Sequence, residues 1–98
     1  SFLAMAQRIA HQHHEKWDGT GYPRGLKGED IHFAARLMSL ADVYDALTSR
    51  RPYKDAWSHD DVREHIRAQS GAHFDPAVVE AFLSREAEFQ AVAERLSD

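Results

Sequence analysis

Phe33-Ala34-Ala35-Arg36-Leu37-Met38-Ser39-Leu40-Ala41-Asp42-Val43-Tyr44-Asp45-Ala46-Leu47-Thr48 is the most apolar stretch of the chain. Its apolar side chains cover nearly the whole circumference of a helix rather than one stripe, so the pattern predicts a helix from about Ile31 to Thr48 buried in the middle of the molecule. Such a helix needs partners on every side. The stretch before it, residues 18–28, holds four of the five glycines and one of the three prolines, so no regular element persists there and a loop is expected. Upstream of that loop Phe2, Met5, Ala6, Ile9 and Ala10 follow the i, i+3, i+4, i+7 rule, which predicts an amphipathic helix from Phe2 to His14.

Downstream, Pro52 cannot continue a helix and disfavours helical geometry at Arg51. Ser58 with Asp61 three residues on reads as an N-cap, opening a helix through about Ser70 that closes at Gly71. Asp75-Pro76 supplies the next cap and first-turn proline, with Val78, Val79, Phe82 and Leu83 facing inward. A last amphipathic stretch runs through Phe89, Val92 and Leu96. The expected fold class is all-α, a helical bundle of about four to five helices with a loop containing Gly21-Tyr22-Pro23 between the first two. Residues 1–98 are expected to form a single domain, without internal repeat or linker.

Composition narrows the chemistry. The chain has 98 residues, with 12 Lys and Arg against 16 Asp and Glu, for a formal charge of −4. A globule of this size withdraws roughly 65% of the surface its extended chain would expose, which allows a modest core. With no cysteine, disulfides, thiolate zinc sites and thiol catalysis are excluded, and the ligand set left is His, Asp and Glu. The acidic balance disfavours capture of duplex nucleic acid. No apolar run is long enough for a membrane span, and a cytoplasmic protein is expected.

Seven histidines are present, three of them at His11, His13 and His14. His13-His14-Glu15 falls at the end of the first predicted helix. Neighbouring helical residues point about 100° apart, so an adjacent pair chelates one ion poorly from mid-helix. At a helix end, or around a cluster of ions, each imidazole can reach its own metal. Two readings stand open: polar residues favoured by the helix dipole, or metal ligands. His11 with His14, at i, i+3, is a rival ligand pair. The His-Glu-x-x-His pattern of zinc proteases is absent.

Asp42 lies inside the most apolar helix, where an unpaired carboxylate carries a large desolvation cost. A cation is expected to meet it, either Arg36 or Arg50 in a salt bridge or a metal shared with histidines. Asp45, three residues on, faces a similar direction. Arg50, Arg51 and Lys54 follow the helix directly, as dipole compensation or as a clamp for phosphate, where Arg presents a planar fork and Lys a point charge.

His13-His14-Glu15-x-Trp-Asp-Gly-Thr-Gly-Tyr-Pro, then Leu40-Ala41-Asp42-Val43-Tyr44-Asp45-Ala46-Leu47-Thr48-Ser49-x-Arg51-Pro52-Tyr53, closely resembles the C-terminal half of the HD-GYP domains. These are bacterial members of the HD metal-dependent phosphohydrolase superfamily. Ser70-Gly71-x-His73-Phe74-Asp75-Pro76 is similar to the family's later signature, and the likeness runs from about Ile9 to Leu83. It implies an HD-type bundle and hydrolysis of cyclic di-GMP at a centre of two or three divalent metals, often iron or manganese. It also implies that His13, His14 and Asp42 are metal ligands and that Arg50 and Lys54 lie near the substrate phosphates. Gly21, Tyr22 and Pro23 match the loop that borders the site, which the resemblance links to substrate and to docking of diguanylate cyclase (GGDEF) domains. The upstream partner it implies is a receiver or sensor domain.

The family's His-Asp pair and following lysine lie on helices that would precede Ser1. His59-Asp60 is a doublet at a helix start, where capping is its expected role. The expectation is therefore a fragment or truncated relative that lacks the N-terminal HD helices and about half the ligand set, inactive by itself. The alternatives are a non-catalytic signalling module that docks through the Gly-Tyr-Pro loop, and a phosphohydrolase acting on another nucleotide. A central helix lacking partners also predicts self-association, as a homodimer or by helix exchange.

Overall fold

The computed structural model describes residues 1–49, 52 and 55–96. Its elements are α1 (Phe2–Gln12), a short 3-10 turn (Gly28–Asp30), α2 (Phe33–Thr48), α3 (His59–Ala68), α4 (Pro76–Ser84) and α5 (Glu86–Leu96). The all-α expectation holds, and among the described residues a single bridge joins Ser70 and Phe74 where α3 turns into α4.

The helix starts lie where short polar side chains can accept backbone N–H groups. Ser58 Oγ accepts from Asp61 N–H at 3.1 Å, and Asp75 Oδ1 accepts from Ala77 N–H at 2.8 Å with Pro76 opening α4. Caps of this kind contribute about 1 kcal/mol each. His32 caps α2 through Nδ1, which accepts Ala34 N–H at 3.1 Å. Its own N–H donates to Gln12 Oε1 at 2.6 Å, so the last residue of α1 is tied to the first turn of α2. After α3, Gly71 takes a φ of +83°, a left-handed conformation that ends a helix without Cβ strain.

The core gathers Leu40 and Tyr44 of α2, Val62 and Ile66 of α3, Phe74, and Val78, Val79 and Phe82 of α4. Leu83 and Phe89 pack against it, partly buried. The Tyr44 ring meets the edges of Phe82 and Phe89, each with centroids 5.7 Å away.

Two expectations are corrected here. The central helix is not enclosed: only Ala35, Ser39, Leu40 and Tyr44 of α2 are buried, while Phe33, Leu37 and Met38 stand exposed. Helices α3 and α4 cover one side of it, and α1 adds no buried residue of its own. On α1 Phe2, 84% exposed, Leu3 and Met5 stand in solvent, while Ile9 is half-buried. Helix α1 also ends at Gln12 rather than His14, because His13 already closes the last turn as its C-cap.

Candidate metal centre

The end of α1 brings His13 beside α2. His13 Nδ1 lies 3.2 Å from Ile9 O, and because a carbonyl only accepts, Nδ1 carries the proton. In the neutral ring that hydrogen bond puts the lone pair on Nε2, the tautomer a ligating imidazole requires. Nε2 sits 3.8 Å from Asp42 Oδ2. This is too long for a hydrogen bond and slightly wider than the roughly 3.0–3.4 Å between neighbouring donors on one ion at metal–ligand distances of about 2.1 Å. Asp42 is not the buried carboxylate expected from its helix, since its side chain is 53% exposed and free to close that gap.

His14 is one residue beyond the cap, outside α1, so the i, i+3 pairing with His11 loses its helical basis. Its ring lies against His13, centroids 4.0 Å apart, and on its other neighbour Tyr22 it stacks at 5.0 Å and 17°. The three residues singled out as ligands therefore share one locality. Of their donor atoms, His13 Nε2 and Asp42 Oδ2 face each other at 3.8 Å. Among the described residues no group of three or more His, Asp or Glu side chains is gathered into a metal cage.

The loop that carries Tyr22 folds back on the His13-His14 turn. Tyr22 N–H donates to His14 O at 3.3 Å, and a Cβ on Gly21 would fall 2.5 Å from both His14 O and Lys16 N. Only glycine permits that approach. Glu15 is 2% exposed, and its carboxylate accepts Arg24 N–H on Oε2 at 2.8 Å and Leu26 N–H on Oε1 at 2.9 Å. The motif letters singled out His13 and His14 and passed over Glu15, whose role needed the loop's path through space. Asp18 turns the loop by accepting the Thr20 hydroxyl at 2.6 Å, which with the Thr20 N–H holds its carboxyl below the ordinary range.

A second strand of contacts docks this loop on the turn after α3. Trp17 N–H donates to His73 O at 3.1 Å and Asp18 N–H to Ala72 O at 2.9 Å. His73 Nε2 pairs with Ser39 Oγ at 3.2 Å, and its ring stacks on Phe74 at 4.2 Å. Burial, then the neighbouring Lys16 and His65 charges, pushes the His73 imidazole below its ordinary value.

Comparison with known proteins follows the same lines as the geometry. A family model described as HD domain matches residues 1–78. The chain belongs to the HD domain family. A cyclic di-GMP phosphodiesterase of Vibrio cholerae is 61% identical over all 98 residues, which make up 20% of that protein. A 3'3'-cGAMP-specific phosphodiesterase 2 of the same organism is 47% identical over 98% of this chain and 18% of its own length. The crystal structure of a cyclic GMP-AMP specific phosphodiesterase of V. cholerae superposes with a TM-score of 0.67 at 28% identity, over 90% of this chain and 22% of the other. This HD-family chain thus spans about a fifth of the length of the relatives it matches.

The remaining site residues of the HD-family chain divide clearly. Gly21 and Tyr22 pack on the His13-His14 turn, and Pro23 follows through a cis bond. Arg50, Arg51 and Lys54, the basic cluster, lie outside the described residues. Asp45 does not join Asp42; it accepts from Ser49 Oγ at 3.3 Å and lines a cavity of about 530 Å³ between α2 and α5. Arg36, considered as a partner for Asp42, turns instead to Asp75. His59 does not cap α3, a role taken by Ser58, and pairs through Nδ1 with Tyr44 OH at 3.0 Å. Among the described residues no helix is long and apolar enough to cross a membrane.

Proposed function

We propose that this chain supplies one wall of a divalent-metal centre that hydrolyses a cyclic dinucleotide, with His13, His14 and Asp42 as ligands. The observation that carries the reading is the placement of His13, whose Nδ1 donates to Ile9 O and whose Nε2 stands 3.8 Å from Asp42 Oδ2. Membership of the HD domain family implies divalent-metal use; iron or manganese, in a cluster of two or three ions, is the specific proposal. When bound, such ions neutralise charge on the phosphodiester and make a water nucleophilic at neutral pH. The chain's own residues do the rest: His13 and Asp42 hold position through Ile9 O and α2, and Arg50 and Lys54 orient the phosphates. The Gly21-Tyr22-Pro23 loop borders the substrate.

Cyclic di-GMP is the proposed substrate, supported by the names of several relatives, and cyclic GMP-AMP is its nearest competitor. A second reading, docking of a diguanylate cyclase (GGDEF) domain on the same loop, draws on Tyr22 being 61% exposed. A receiver or sensor domain as regulator and a homo-oligomeric state belong to the same proposal.

A chimaera tests it. The matching 98 residues of the 61% identical V. cholerae phosphodiesterase are replaced by this chain, and turnover of cyclic di-GMP and 3'3'-cGAMP is measured with Mn²⁺ or Fe²⁺. Hydrolysis is expected, with a loss of about 100-fold or more in His13→Ala and Asp42→Ala. A folded, metal-loaded chimaera that leaves both dinucleotides intact overturns the hydrolase reading. Capture of a diguanylate cyclase domain that disappears in Tyr22→Ala would then support docking.

A further inference from the structure

Glu15 is a carboxylate withdrawn from water at the edge of the candidate metal centre, and neither His13 nor Asp42 uses it. Both its oxygens are engaged by main chain, Oε2 by Arg24 N–H and Oε1 by Leu26 N–H. Burying a carboxylate costs several kcal/mol unless its charge is answered, and charge-assisted bonds to backbone N–H groups are among the strong answers. The bonds span nine and eleven residues, across the loop that bears Tyr22.

We propose that Glu15 is a positioning residue for His14, acting through the loop: its carboxylate clamps residues 24 and 26, and the clamped loop lays the Tyr22 ring against the imidazole. Three observations converge on this device. Glu15 follows His14 directly, and its N–H bonds back to Gln12 O at 2.9 Å, so clamp and imidazole leave the same end of α1. Gly21 packs without a side chain on the backbone of residues 14–16, which admits one close path for the loop. Tyr22 then stacks at 17° on the His14 ring while its N–H holds His14 O. A ligand imidazole free to rotate loses affinity for its ion, and outer partners that orient it are worth about 10–100-fold in binding. The metal role of His14 rests on the function proposed above; the clamp itself does not.

The test is carried out on this chain by NMR of its histidine rings. Glu15→Gln puts an amide NH₂ against one of the two N–H donors, so one bond is lost and the loop loosens. The His14 ring-proton shifts are expected to move in the direction produced by Tyr22→Ala, while those of His59 and His73 stay in place. Unmoved His14 shifts in Glu15→Gln overturn the proposal. Should that variant fail to fold, hydrogen exchange of the unmodified chain decides: the Arg24 and Leu26 amides must be protected, and rapid exchange at both overturns it. Mn²⁺ titration separates the two claims. Broadening of the His13 and His14 signals that needs about 10-fold more Mn²⁺ in Glu15→Gln supports the clamp acting on a metal site. Equal Mn²⁺ dependence in the two proteins overturns that action, and shifted His14 signals with no Mn²⁺ broadening support the clamp while removing the metal reading.

Discussion

Arg36 Nη1 lies 2.5 Å from Asp75 Oδ2, both side chains largely withdrawn from solvent, and this pair ties α2 to the start of α4. The Arg36 Nε also donates to Ile31 O at 3.1 Å, and its guanidinium carbon lies 5.0 Å from the Phe33 ring centroid and 5.8 Å from that of Trp17. Asp75 uses its other oxygen to cap α4. One ion pair thus joins the central helix, the loop bearing Trp17 and the later Phe74-Asp75-Pro76 turn.

Removing one partner of such a pair leaves a buried charge unanswered. Asp75→Ala, which also removes the cap, is expected to lose about 3–5 kcal/mol in urea unfolding. Arg36→Met combined with Asp75→Ala should lose less than the two single losses together, by more than about 1 kcal/mol. Strict additivity would show that the two charges are not coupled.

His73 makes stability depend on pH. Burial holds its folded pKa below the ordinary 6.5, so in the window beneath 6.5 the unfolded chain binds more protons than the folded one. Stability is then full above about pH 6.5 and falls on acidification towards the folded pKa, with a slope of at most about 1.4 kcal/mol per pH unit from this group. Urea midpoints of the protein and of His73→Gln from pH 7.5 to 5.5 measure it. The variant should show the shallower decline, and parallel curves would count against the assignment.

Gly21 and Gly28 resist substitution for different reasons. At Gly21 an added Cβ collides with main chain at 2.5 Å, so Gly21→Ala is expected to cost about 1–3 kcal/mol and to separate Tyr22 from His14. At Gly28 there is open space, but its φ of +58° strains any L side chain, so Gly28→Ala should cost about 1–2 kcal/mol and leave the His14 ring signals unchanged. Unchanged His14 signals in Gly21→Ala would contradict the close approach.

Phe82 lies at the meeting of α2, α4 and α5, its ring edge-on to both Tyr44 and Phe89. Phe82→Ala is expected to remove about 3–5 kcal/mol, measured by thermal or urea unfolding. A loss under about 1 kcal/mol would mean that this cluster is not the core.

The helices were readable from local features because their signals are local. Apolar spacing, Ser58, Asp75-Pro76 and Gly71 each act within four or five residues, and they placed α3 and α4 within about two residues of where the structure has them. The histidine and aspartate candidates were legible as residue types in a recognisable order, since ligand chemistry is a property of the side chain. Chain order could not reveal which side of α2 is covered, because its pattern is apolar all round and burial depends on what packs there. It could not pair Arg36 with Asp75, thirty-nine residues away, or identify Glu15 as the holder of the loop, since those partners are brought together by helix packing and by the closure of a glycine-rich turn. Local propensity and side-chain chemistry are written along the chain; exposure and long-range pairing arise only when separated segments come to share space.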